Sequence, residues 1–78
     1  MEDILKKLTK MGVSNEDVER YREMVQELNE PFKVLNEFEI KGILDTLSMT
    51  IEMDYPDLFV EVEDDVKDLM VDYGVSLL

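Results

Sequence analysis

Apolar residues along this chain recur at three- and four-residue spacing, the period of a helix with one buried face. Four such stretches are separated by residues that stop helices. The first is expected from Asp3 to Met11, with Ile4, Leu5, Leu8 and Met11 on one face and Lys6, Lys7 and Lys10 opposite or on its flank. Gly12 suits the left-handed position just past a helix end. The second opens at Ser14, a good N-cap, with Asp17 placed three residues on to reach back. Val18, Tyr21, Val25 and Leu28 make its stripe, Glu16 and Arg20 stand one turn apart as a favourable pair, and Pro31 ends it near Leu28 or Asn29.

Phe32 to Leu35 reads as a short apolar link. Asn36 and Glu39 then have the spacing of a capping box. The third helix turns Ile40, Ile43, Leu44, Leu47 and Ile51 inward and closes at Tyr55-Pro56. Gly42 in its interior costs about 1 kcal/mol relative to alanine, which marks a close helix crossing. The fourth helix opens at Pro56-Asp57, since proline fits a first turn, and stops at Gly74. Leu58, Val62, Val66, Leu69 and Tyr73 form its apolar stripe, with Leu69 at the centre and Phe59 and Met70 flanking. Residues 58–62 also alternate like a strand, but the helical period continues unbroken to Tyr73. The expected fold is all-α, a small bundle of about four short helices, with residues 1–78 as a single helical domain. A chain of 78 residues buries a thin core.

Charge changes this picture. Residues 42–78 hold ten carboxylates and one base, Lys67, whereas residues 1–41 hold ten carboxylates and seven bases. Most of the net charge of −12 therefore lies in the C-terminal half. On a helix advancing about 100° per residue, Asp57, Glu61, Asp64, Asp65, Asp68 and Asp72 fall in one arc beside the apolar stripe. The resulting ridge is about 22 Å long at 1.5 Å per residue. Glu52 and Asp54 are placed to extend it, and Val60 and Val71 project next to it. Like charges one turn apart repel, and Lys67 is the only base in this half to offset them. The plainer reading is a solvated face. The sharper one is a partner-binding ridge made of Asp57, Val60, Glu61, Asp64, Asp65, Asp68, Val71 and Asp72. Its repeat is comparable to the spacing of phosphates, so it fits a basic groove built for nucleic acid.

Composition removes other classes. There is no cysteine and no histidine, so thiolate and zinc chemistry and the commonest general base are absent. Helical carboxylates do not wrap a calcium ion as a glycine-turned loop does, so no metal and no cofactor is expected. No phosphate-binding glycine motif and no basic patch is present, and an acidic surface repels nucleic acid and anionic membranes. No run approaches signal-peptide or membrane-span length, and the cytoplasm is the expected compartment. The five internal methionines read as adaptable core filler, and Tyr21 and Tyr73 as straddling core and solvent.

One resemblance bears on function. Ile4-Leu5-Lys6-Lys7-Leu8 followed by Gly12-Val13 is similar to the first helix of acyl carrier proteins, and Val62 to Tyr73 is loosely similar to their last. The family's Asp-Ser-Leu motif carries phosphopantetheine on serine. Here Asp45-Thr46-Leu47 is the nearest match, with threonine at the attachment position, and the long loop after the first helix is missing. The resemblance implies a carrier-like or accessory subunit domain.

The leading expectation is a non-catalytic interaction or inhibitor module. It would dock its C-terminal acidic helix on a basic protein surface, that of a nucleic-acid-binding protein in particular, as phage and mobile-element mimics do. The carrier-like domain is one alternative. The other is a self-assembling module that hides an apolar face in a homodimer.

Overall fold

The computed structural model describes residues 1–30 and 32–76. Four α-helices, α1 (Glu2–Lys10), α2 (Asn15–Met24), α3 (Glu37–Asp54) and α4 (Pro56–Asp72), pack as a small all-α bundle, and no strand occurs among the described residues. Residues 58–62 are helical, which settles the strand alternative.

The helix ends are fixed by local chemistry. Ser14 accepts a hydrogen bond from the Asp17 amide at 3.2 Å and caps α2. Asn36 accepts from the Glu39 amide at 2.8 Å, and the Glu39 carboxylate accepts from the Asn36 amide, completing a capping box on α3. Gly12 and Gly74 have φ of 100° and 82°. In that left-handed conformation the Val13 amide reaches the Leu8 carbonyl at 3.0 Å and the Val75 amide reaches Met70 at 2.9 Å, so α1 and α4 end alike. Each closure buries the following valine.

A single residue, Tyr55, joins α3 to α4. Its amide donates to Ile51 at 2.7 Å and its carbonyl accepts from Leu58 and Phe59. Pro56 occupies the first turn of α4, where its missing donor is no loss. The two longest helices of the described residues pack against each other.

The core draws on all four helices: Leu5 and Leu8, Val18 and Tyr21, Leu44, Leu47 and Ile51, Val62, Val66 and Met70, joined by Val13, Val25 and Val75. The structure departs from several expectations. The second helix ends at Met24, and a 3₁₀ turn (Gln26–Asn29) keeps Leu28 against the core beyond it. Pro31, expected to end that helix, lies outside the described residues. The inward line of α4 runs through Val62, Val66 and Met70, with Leu69 only half-buried on the side toward α1, so the helix is rotated from the phase centred on Leu69. Tyr21 is wholly buried, because Asp54 satisfies its hydroxyl. Met70 is core and Met11 and Met24 pack at its edge, but Met49 and Met53 face solvent from the outer arc of α3. Gly42 marks no crossing, since a Cβ there would meet nothing within 4 Å.

Candidate functional site

Burial of Val62, Val66 and Met70 aims the opposite arc of α4 at solvent. Asp57, Glu61, Asp64, Asp68 and Asp72 are exposed along that arc, and Val60 (71% exposed) and Val71 (56%) border it. The helix thus brings the expected ridge together. Asp65 differs from the rest. It lies half-buried at the edge nearest α1, where the Lys7 ammonium donates to its carboxylate at 2.7 Å and to the Glu61 carbonyl at 2.7 Å. Lys67 turns to the other flank and pairs with Glu63 at 3.4 Å. Relief of repulsion along the ridge therefore comes from α1 across the bundle, a pairing that spacing within one helix does not reveal.

Between α1 and α4 lies a groove of about 330 Å³. Asp65, Asp68 and Asp72 line it from α4, Asp3 and Lys7 from α1, with Ile4 and Leu69 as apolar lining. Asp3 extends the negative surface onto a second helix and is the residue that reading α4 alone misses.

Asp54 does not extend the ridge. It accepts from the Tyr21 hydroxyl at 2.8 Å and pairs with Arg20, whose guanidinium sits 5.3 Å above the Tyr21 ring. Arg20 also reaches Asp17 at 3.2 Å, and so does not form the expected pair with Glu16. Asp17 in turn accepts from the Tyr55 hydroxyl. These five residues clamp α2 to the α3–α4 corner. Burial first, and then Asp54, hold the Tyr21 phenol above its usual range. The bond to Asp17 raises Tyr55, and the same bond lowers Asp17. Glu2 is lowered by its hydrogen bond from Arg22.

Asp57, Glu61, Asp64, Asp68 and Asp72 are open to water, so they offer charge and hydrogen-bond acceptors to a partner, whereas acid–base work draws on a dry environment that shifts a carboxyl pKa. Among the described residues, no three carboxylates converge on a point that would hold a metal ion. No described helix is long and apolar enough to cross a membrane. Compared with protein-family models, with curated proteins and with solved structures, the chain matches none. Its class is set by the fold alone: a small all-α bundle with one strongly acidic helix face.

Proposed function

We propose that this chain is a small, non-catalytic interaction module that docks the acidic face of α4 on a basic protein surface. The observation that carries the reading is the exposed row Asp57, Glu61, Asp64, Asp68 and Asp72, bordered by Val60 and Val71, with Lys7 engaging only its edge. A one-sign field of this kind steers a positively charged partner and excludes others by repulsion. Carboxylates recurring each turn on a rigid helix suit a groove lined with lysine and arginine for a phosphate backbone. The preferred partner is therefore a nucleic-acid-binding protein, met in the cytoplasm, with no direct contact to nucleic acid or membrane. The bordering valines supply apolar contact at the rim of the same surface.

Thr46 does not favour the carrier-like reading. Its hydroxyl donates to the Gly42 carbonyl at 2.8 Å inside α3.

The test is affinity capture with three baits: the native chain, a ridge variant (Glu61→Gln, Asp64→Asn, Asp68→Asn), and a control neutralised at Glu16, Glu23 and Glu30. Basic proteins should bind the first and third baits, elute as salt rises, and be lost from the ridge variant. Equal retention on all three baits would refute docking through α4.

A further inference from the structure

Among the described residues, nothing packed around Gly42 requires glycine there. It keeps an ordinary helical backbone, since among the described residues only Gly12 and Gly74 have positive φ, and it is exposed with open space where a Cβ would stand. Glycine is nonetheless among the least favourable residues for a helix interior. It lies on the outward arc of α3 with Phe38 (83% exposed), Met49 (63%) and Met53 (81%), so the longest helix carries an apolar stripe down its solvent side.

The order along the stripe is symmetric. Phe38 and Met53 lie equally far from the midpoint between Asp45 and Thr46, and so do Gly42 and Met49. A two-fold axis through that midpoint lays a second α3 antiparallel on the first. Each Met49 then falls on the Gly42 of the other copy, a flexible knob over a position with no side chain, and each Phe38 falls on a Met53. Charge fits the same pairing. Lys41 and Glu52 share one flank of the stripe, lie on opposite sides of the axis, and are both exposed with no ion pair among the described residues. The axis brings Lys41 of each copy beside Glu52 of the other. Asp45 is the unfavourable member, because it approaches its own copy near the axis, within reach of both Lys41 side chains.

We infer that the outward face of α3 is a self-complementary interface, and that its occupant is a second copy of this chain in an antiparallel, two-fold arrangement. Residues that repeat their partners across one axis are what an isologous contact requires. The ridge of α4 takes no part in this contact.

Sedimentation equilibrium of the full chain tests this, from about 1 μM to about 1 mM at about 0.15 M salt, where repulsion between two acidic chains is screened. The expected species at the upper end has twice the 9.2 kDa chain mass. Gly42→Gln fills the receiving position, improves the helix and should weaken the dimer about tenfold or more. Lys41→Glu should also weaken it, and adding Glu52→Lys to that variant should restore it. Asp45→Asn should tighten it. Circular dichroism showing retained helix in each variant separates these effects from unfolding. A chain that stays monomeric throughout the range overturns the inference. So does a dimer indifferent to Gly42→Gln and to the charge swap.

Discussion

Lys7 donates from α1 to the carboxylate of Asp65 on α4 at 2.7 Å, and the same ammonium holds the Glu61 carbonyl. One base thereby fastens the N-terminal helix to the most acidic element of the protein. It also divides the ridge into a paired edge, Asp65, and an open row, Asp57 to Asp72. Both partners are substantially exposed, at 43% and 40%, so Lys7→Met and Asp65→Asn should each cost no more than about 1 kcal/mol. Their combination should cost less than the two added together. Asp68→Asn, which relieves repulsion and breaks no pair, should be neutral or slightly stabilising. Urea titration of the four variants decides it, and an Asp68→Asn more damaging than Asp65→Asn would contradict the assigned ridge.

Added salt should raise the melting temperature. The native ion pairs are surface pairs, each of little net value, whereas residues 42–78 confine ten carboxylates with one base. Screening on a length of about 10 Å at 0.1 M weakens repulsion between successive turns of α4. Thermal melts followed by circular dichroism at low and moderate NaCl should shift upward. A downward shift would mean that the Lys7, Arg20 and Arg22 pairs outweigh the repulsion.

The packing makes a sharper demand. Leu47 is wholly buried where α3 meets the core, so Leu47→Ala should cost about 2–5 kcal/mol, enough to unfold much of a small domain. Leu69, half-buried on the flank of α4, should cost less when truncated. If Leu69→Ala is the more damaging in urea, the inward line of α4 runs through Leu69 and not through Val66.

All four helix starts and most of the stops were legible because their causes are local; the end of α2 at Met24, four residues short of Leu28, was not. Ser14, the Asn36–Glu39 box, Pro56 and the two terminal glycines each act within a few residues of themselves. The ridge was legible for the same reason, since it needs only the helical period. Less accessible was whatever depends on a second element. Nothing near Tyr21 in the chain announces that Asp54 will satisfy its hydroxyl, and nothing near Asp65 announces Lys7. The phase of α4 belongs to this class too. Its stripe is wide enough to centre on Leu69 or Val66, and the contacts of α3 and α1 make the choice.

The α2 clamp should appear in the pH dependence of stability. Tyr21 and Tyr55 hold their protons above the usual phenol range, so the unfolded chain releases its protons first, from about pH 10 upward. The stability they contribute is intact below that pH and is lost as pH climbs through their folded values. On the acid side, Asp17 and Glu2 are lowered. Their contribution is intact above about pH 4 and is lost as pH falls through the folded values. Tyrosinate absorbance should lag in the folded protein relative to denatured chain. Tyr21→Phe keeps the ring, loses about 1 kcal/mol with the hydrogen bond to Asp54, and should reduce the alkaline loss. An alkaline profile unchanged by Tyr21→Phe would show that the clamp is not coupled to folding.

Docking through α4 should also separate in its kinetics. The open carboxylates act at a distance, before contact, so neutralising Glu61, Asp64 and Asp68 should slow association with a captured basic partner. Salt should slow the native chain in the same way. Val60 and Val71 act only after contact, because an apolar side chain has no long-range field. Val60→Ser with Val71→Ser should leave the association rate nearly unchanged and speed dissociation. Surface plasmon resonance with the partner immobilised, at two salt concentrations, reads both rates. A ridge variant that changes only dissociation, or a valine variant that changes only association, would reverse the roles assigned to the two parts of this face.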